Sequence, residues 1–221
     1  MRRQPPHSWK ATPREAITLQ RELAGEVVRV DDFAPFTTVT GIDVAYGRRT
    51  GPANAAAVVL SFPGMVPLAQ ATAAMPLDFP YVPGLLTFRE APAAIAALQH
   101  LTIQPAVLLC DGQGLAHPRR LGFASHLGVF LDVPSVGVAK SRLIGEYDEP
   151  GPEPGAWTPL LDRGEIIGAV LRTRRGSKPL FVSIGHRISL ASAIALVMAC
   201  TRGYRLPEPT RLADRLSKTL A

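Results

Sequence analysis

The chain has 221 residues, of which 47% are hydrophobic and 19% charged, a composition that fits one globular domain with its own core. The excess of 24 Lys and Arg over 18 Asp and Glu gives a formal net charge of +6, which favours polyanionic partners such as nucleic acid or a membrane surface. Two cysteines are too few for a disulfide framework, and no apolar stretch resembles a secretory signal or spans a bilayer. We therefore expect a cytoplasmic protein that does not enter the membrane.

The N-terminal region predicts one helix behind a frayed end. Residues 1–11 are basic and rich in proline, and we expect them to be flexible. Thr12-Pro13-Arg14-Glu15 has the pattern of a capping box with proline at the first helical position. Apolar residues then follow at helical spacing, namely Ala16, Leu19, Leu23 and Val27.

Three strands are predicted next. The segment 37–46 is rich in β-branched residues and carries one acid, which is typical of a central strand. Segments 54–61 and 66–74 are expected to be its antiparallel neighbours, with Pro63-Gly64 in the turn between them.

The rest of the chain alternates helices and strands. Loops at 76–84 and 146–155 interrupt the pattern. Between them we predict a helix at 88–100, a strand at 105–110, a loop and helix within 112–130 and a strand at 133–140. After the second loop we predict a hairpin of 165–174 with 179–185, a helix at 189–200 and a last helix from Thr210. This order predicts a central mixed sheet flanked by helices, hence α/β or α+β, in one domain over 1–221. The pattern alone does not separate a ribonuclease-H-like fold from other three-layer folds.

Two acids occur at buried strands. Asp43 lies inside the strand GIDVAY, and Asp111 directly follows the apolar run VLLC. Buried carboxylates are costly unless they are compensated, and a divalent cation such as Mg²⁺, which prefers oxygen ligands, would compensate them. Alternatively, Asp43 binds nearby backbone N–H groups and Asp111-Gly112 forms a simple turn.

Two further acids are candidates with ordinary alternatives. Glu90 lies three residues after Thr87 and could close a capping box at the start of a helix. Asp214 lies on a predicted helix near Arg211 and Arg215 and could form a solvated ion pair.

The loop after Asp111 contains an unusual density of special residues. Gly112 and Gly114 allow the backbone to approach a ligand, whereas His117 and Arg119 can hold phosphate or assist proton transfer. The alternative is a plain turn with solvated arginines.

Three other features suit a nucleic-acid substrate. Lys140 ends a predicted strand, where it could hold a phosphate or be merely solvated. Tyr81 lies between Pro80 and Pro83 on a stiff loop, so it could wedge between bases or pack as a lid on the domain. A basic hairpin tip could grip backbone phosphates or be a solvated turn; it contains Arg172, Arg174, Arg175 and Lys178.

Taken together, these segments resemble the endonuclease V family. The most specific stretches are PYVPG and DGQGLAHPRR, and the resemblance runs in family order over most of the chain. The matching ranges are 41–46, 80–92, 108–129, 134–145, 181–194 and 206–217.

The resemblance implies a ribonuclease-H-like fold and Mg²⁺-dependent hydrolysis, in which Mn²⁺ could replace Mg²⁺. The implied substrate is DNA, or RNA, containing inosine, cut at the second phosphodiester bond on its 3′ side to leave a 3′-hydroxyl and a 5′-phosphate. A monomer is expected. The implied metal-binding acids are Asp43, Glu90, Asp111 and Asp214; the implied catalytic residues are Asp43, Glu90, Asp111, Lys140 and His117; and the implied substrate-binding residues are Tyr81, Pro83, Gly112, Gly114 and Arg119.

Two other functions fit the same acids. One is a different ribonuclease-H-like, structure-specific nuclease, which would lack the tyrosine wedge and a base pocket. The other is a nucleic-acid-binding module without catalysis, against which the presence of every acid of the family motif argues.

Overall fold

A mixed sheet of eight strands organises the protein, whose computed structural model describes residues 7–46 and 51–220. The strand order is β3-β2-β1-β4-β5-β8-β7-β6. The strands are β1 (Thr38–Tyr46), β2 (Ala53–Ser61), β3 (Pro67–Met75), β4 (Leu108–Cys110), β5 (Ser135–Ala139), β6 (Trp157–Asp162), β7 (Glu165–Leu171) and β8 (Leu180–His186). The helices are α1 (Pro13–Leu23), α2 (Thr87–Gln99), α3 (Phe123–Leu131), α4 (Leu190–Ala199) and α5 (Glu208–Lys218).

The three central strands β1, β4 and β5 run parallel, while every other pair is antiparallel. In the register of β1 with β4, Ile42 lies opposite Cys110. The backbone N–H of Asp111 donates to the carbonyl of Ile42 over 3.0 Å. Parallel pairing therefore brings Asp43 and Asp111, the residues that follow this pair, to the same end of the sheet.

The alternation of side chains along these strands decides which face the two acids share. Val39 of β1 and Leu109 of β4 belong to the hydrophobic cluster that includes Ala213 of α5, whereas Ile42 belongs to the cluster on the other face, with α2 and α3. Because side chains two residues apart point to the same face of a strand, the acids at 43 and 111 both point to the side that α5 covers.

Most predicted elements are confirmed, including the capping box of α1, in which Thr12 accepts from the Glu15 N–H and the Glu15 carboxylate accepts from the Thr12 N–H. The prediction missed strand β6. That strand lies at the edge of the sheet and contains Pro159, and proline inside a short apolar run argues against a strand unless it is an edge strand. Helix α5 begins at Glu208, two residues before the predicted start, with Pro209 in its first turn.

The N-terminal segment packs on the domain from His7 onward. The rings of His7 and Trp9 contact those of His126 and Phe130 with centroid distances of 4.7–5.4 Å. We expected residues 1–11 to be flexible, and the contacts of His7 and Trp9 were not part of that expectation. Residues 1–6 lie outside the described residues. Within 7–46 and 51–220, no helix combines the length and apolarity needed to cross a membrane.

Candidate active site

Three aspartates from three elements meet at the carboxyl end of the central strands. Asp43 lies on β1, Asp111 follows β4 and Asp214 lies on α5, and each offers a carboxylate oxygen within 4.8 Å of the others. Oxygen ligands at this spacing suit a hard divalent cation. The fold thus brings together three of the four acids that the sequence analysis selected.

Asp43 is the most deeply buried member of this group, at 7% exposure. Burial raises the pKa of its carboxyl above the ordinary value, and the charge of Asp111 raises it further. The hydroxyl of Ser217, itself fully buried on α5, donates to Oδ2 of Asp43 and opposes this rise. The charged form of Asp43 is therefore costly until a cation stabilises it.

Lys140, directly after β5, bridges the other two aspartates. Its ammonium group forms ion pairs with Asp111 and Asp214, and Lys218 also pairs with Asp214 over 2.8 Å. Burial alone would lower the pKa of Lys140, but the two carboxylates raise it above its usual value. Asp214 thus pairs with lysines. Arg211, which the alternative interpretation assigned to Asp214, pairs with Glu208.

Glu90 approaches the acids from the opposite side, in the first turn of α2. Its side chain is almost fully buried, and its Oε1 accepts from the Tyr46 hydroxyl over 2.7 Å. Burial raises the pKa of Glu90 to about 8, and the charges of Asp43 and Asp111 add to this effect. Thr87 is the first helical residue and not the N-cap, so the capping-box alternative for Glu90 is wrong. Glu90 is not part of the group of three aspartates.

A cavity of about 400 Å³ opens beside the acids. One wall is the loop that carries Tyr81, and the other is formed by the segments that follow β4 and β5. The lining includes Glu90, Asp111, Gly112, Phe123, Lys140 and Leu143. An apolar cavity bordered by carboxylates and a lysine can hold a planar group next to a phosphate.

Tyr81 stands at the mouth of this cavity. Its side chain is 72% exposed, so it does not pack as a lid on the domain. Pro83 lies on the same wall. Behind the loop, Phe79, Leu85 and Phe88 form a buried cluster that fixes its two ends. Tyr81 is therefore an exposed aromatic on an anchored support.

His117 and Arg119 hold this loop through one carbonyl, that of Gly84. Arg119 donates to the carbonyl over 2.6 Å, and Nε2 of His117 lies 3.0 Å from it. Nδ1 of His117 accepts from the backbone N–H of Arg119, which leaves Nε2 as the protonated nitrogen of a neutral ring. Burial, followed by the charge of Arg119, lowers the pKa of His117 to about 4. Gly84 has φ of +78°, and a Cβ there would lie 2.8 Å from Arg119.

The two glycines after Asp111 differ in position. Gly112 lines the cavity, whereas Gly114 packs on β8, where a Cβ would lie 2.1 Å from the carbonyl oxygen of Ile184. The lack of a side chain at Gly114 is thus explained by close packing of two backbones.

Two of the four basic side chains of the hairpin tip form ion pairs with glutamates of the same protein. Arg172 pairs with Glu149 over 2.6 Å, and Arg175 pairs with Glu153. Arg174 and Lys178 are exposed. Arg172, whose side chain is 11% exposed, is therefore less accessible to a backbone phosphate than the exposed cations of the tip.

Sequence reasoning missed several side chains that contact the acids or the backbone of Lys140. Ser217 lies three residues after Asp214, so helical spacing could have placed it on the same face. Tyr46 and Arg205 carry no such signal. Arg205 donates to the backbone carbonyl of Lys140 over 2.6 Å and to that of Lys178 over 2.8 Å.

Comparison with known proteins gives one consistent result. The sequence model of the endonuclease V family matches residues 21–215. Endonuclease V of Trichormus variabilis is 53% identical over 213 residues, which cover 96% of each chain.

Solved structures agree with this match. The crystal structure of endonuclease V from Streptomyces avermitilis is 46% identical, covers 98% of this chain and 96% of its own, and superposes with a TM-score of 0.91. A variant of endonuclease V from Ciona intestinalis, 33% identical with a TM-score of 0.84 and coverage of 94% and 95%, was solved in complex with a 23mer DNA containing an inosine followed by a ribo-adenosine. The expected α/β, ribonuclease-H-like fold class is thereby confirmed.

Proposed function

The chain belongs to the endonuclease V family, and we propose that it is a metal-dependent repair endonuclease that cuts nucleic acid beside inosine. It hydrolyses the second phosphodiester bond on the 3′ side of the inosine, leaving a 3′-hydroxyl and a 5′-phosphate. The observation that carries this proposal is the convergence of Asp43, Asp111 and Asp214 beside a cavity of about 400 Å³. The inosine-containing DNA bound to the Ciona relative supports the assignment of the substrate.

The donor set fits a divalent metal. Its ligands are carboxylate oxygens, which suit Mg²⁺, and Mn²⁺ could take its place. Asp43 and Asp111 would hold the cation, with Asp214 and Glu90 as further ligands. When bound, the metal would lower the pKa of the attacking water and offset charge on the leaving oxygen.

The other residues orient the substrate. Lys140 adds positive charge beside the scissile phosphate. Tyr81 and Pro83 separate the strands at the lesion, and the cavity behind them, with Gly112 in its wall, receives the displaced hypoxanthine base. For His117 and Arg119 we propose a positioning role, because both donate to Gly84 and His117 has both ring nitrogens engaged. Extrusion of a base costs least where pairing is already weak, so a mispaired inosine is a suitable target.

We further propose a monomeric, cytoplasmic protein in which 1–221 form one domain. All the acids of the site lie on one chain, and one sheet uses strands from Thr38 to His186. The two cysteines, Cys110 and Cys200, are free and buried, which is typical of proteins in reducing compartments.

Cleavage of matched strands tests this proposal. DNA and RNA strands that carry one inosine, or adenine at the same position, are incubated with Mg²⁺ or with EDTA. We expect nicking only of inosine strands and only with the metal. Nicking of the adenine strands as well as the inosine strands would indicate a different, structure-specific nuclease. Binding without nicking would indicate a non-catalytic module. Comparison of the DNA and RNA rates then identifies the preferred strand.

A further inference from the structure

Gln20 connects three separate parts of the protein from the inward face of α1. Its side chain is fully buried. The amide nitrogen donates to the carbonyl of Gly84 over 3.1 Å and to the carbonyl of Leu121 over 3.2 Å. The amide oxygen accepts from Nε of Arg119 over 2.6 Å. These partners lie 64 to 101 residues away in the sequence.

The partners specify both the residue type and its orientation. Two carbonyls require a donor, and the guanidinium of Arg119 requires an acceptor, so only an amide of this length satisfies all three in one orientation. A glutamate would place a carboxylate oxygen against the two carbonyls, and an apolar side chain would leave all three groups without this partner.

The two carbonyls belong to the two opposite walls of the cavity. Gly84 lies in the wall that carries Tyr81, and Leu121 directly precedes Gly122 and Phe123 of the other wall. Helix α1, held by its capping box, therefore contributes to the distance between the walls through Gln20, beside the direct contacts of His117 and Arg119 with Gly84. The carbonyl of Gly84 also accepts from His117 and Arg119, so three donors fix the point where the Tyr81 loop joins α2.

We infer that Gln20 is a positioning residue that fixes the width of the cavity and thereby the affinity for inosine. This inference rests on the proposed function, because it takes the cavity as the site of the displaced base. Gln20 does not contact the aspartates in any described hydrogen bond or ion pair, so its loss should weaken substrate binding more than the chemical step.

The test measures KM and kcat for Gln20→Met on an inosine-containing DNA strand with Mg²⁺. We expect KM to rise about tenfold, as the loss of buried hydrogen bonds suggests, while kcat stays within about twofold. Gln20→Glu keeps the size of the side chain and its contact with Arg119, and it is the second variant should Gln20→Met fail to fold. The same rise in KM is expected for it.

Thr12→Ala is the matched control. It removes the N-cap of α1 and lowers the stability of the same helix without touching the cavity. A purely structural role for Gln20 would lower the amount of active enzyme, so kcat would fall and KM would stay constant in all three variants; that result, or an equal rise in KM for Thr12→Ala, overturns the inference. A wild-type protein that does not distinguish inosine from adenine overturns the proposed function as well.

Discussion

Asp43 and Glu90 are the two acids of the site whose charge the protein compensates least. Each is 7% exposed, and burial raises the pKa of both carboxyl groups. Asp111 and Asp214, by contrast, share the ammonium group of Lys140. The site therefore combines two acids that pair with a lysine with two acids whose charged form burial disfavours and a cation would stabilise.

The substitution Glu90→Gln should stabilise the metal-free protein and abolish nicking. It keeps an acceptor for the Tyr46 hydroxyl and removes a carboxyl group whose ionisation burial opposes. The pKa of Glu90 rises from 4.5 to about 8 on folding, so the folded state binds the extra proton and the penalty for ionisation grows between these pH values. At pH 7 the gain in the free energy of unfolding is up to about 3 kcal/mol, and it vanishes near the unfolded pKa.

Denaturant unfolding in EDTA at pH 5 and pH 8 measures this difference. Glu22→Gln makes the same chemical change at an exposed position of α1 and should leave stability unchanged at both pH values. A destabilised Glu90→Gln protein at pH 8 would show that Glu90 is held by compensating charges in the metal-free state.

Ser217→Ala should weaken the metal site without removing a ligand. The hydroxyl orients Asp43, and loss of a group that orients a metal ligand typically reduces metal affinity about 10–100-fold. We expect the Mg²⁺ concentration for half-maximal nicking to rise by at least about tenfold, while the rate at saturating Mg²⁺ falls less.

Thr210→Val is the control for Ser217→Ala, because it removes another fully buried hydroxyl from the same helix. Its Mg²⁺ dependence should match the wild type. An unchanged Mg²⁺ requirement for Ser217→Ala would mean that the Ser217 hydroxyl does not contribute to metal binding by Asp43.

At the scale of the elements, the sequence predicted the parts of the site that depend on strand order. Asp43 and Asp111 are recognisable because each is an acid at an apolar strand. Asp214 and Glu90 are not, because their approach depends on how α5 and α2 pack on the sheet, which no local pattern encodes. Contacts between residues far apart in sequence, such as Gln20 with the Gly84 carbonyl, lie outside local patterns for the same reason.

The Tyr81 loop should separate recognition of the lesion from chemistry. Tyr81→Ala removes an exposed ring and leaves the anchoring cluster of Phe79, Leu85 and Phe88 intact. Because stacking on a base contributes about 1–3 kcal/mol, binding to an inosine duplex should fall roughly tenfold or more. Single-stranded substrate needs less unstacking, so the loss there should be smaller.

The test measures the cleavage rate against enzyme concentration for duplex and single-stranded substrate, together with a melting curve of the variant protein. Tyr204→Ala removes another exposed tyrosine, one that does not line the cavity. It should leave the cleavage of both substrates unchanged. Equal losses on duplex and single strand for Tyr81→Ala would assign the ring to shaping the cavity instead of wedging.

At the scale of the whole molecule, the net charge of +6 should make binding salt-dependent. Lysines and arginines that neutralise phosphates release counterions, and each contact adds about 0.9 to the slope of log affinity against log salt on duplex DNA. Arg174 and Lys178 are exposed cations of the hairpin tip that, unlike Arg172 and Arg175, form no ion pair among the described residues. Their joint replacement by glutamine should reduce the slope by about one to two.

The matched control is the double replacement of Lys10 and Arg14 by glutamine, which changes the net charge equally on exposed positions around α1. Titrations of inosine DNA at several salt concentrations compare the two proteins. Equal slopes in both would remove the hairpin tip from the nucleic-acid interface.

Mapping of the nicked product tests the central claim most directly. A 5′-labelled duplex with one inosine is incubated with Mg²⁺ and the wild-type protein, Asp43→Ala or Asp111→Ala, each shown to be folded by its melting curve. The expected result is one wild-type product, cut at the second phosphodiester bond 3′ to the inosine, that is absent with EDTA and with both variants. Wild-type-like nicking by either variant, or equal cutting of a duplex with adenine at that position, would contradict the account.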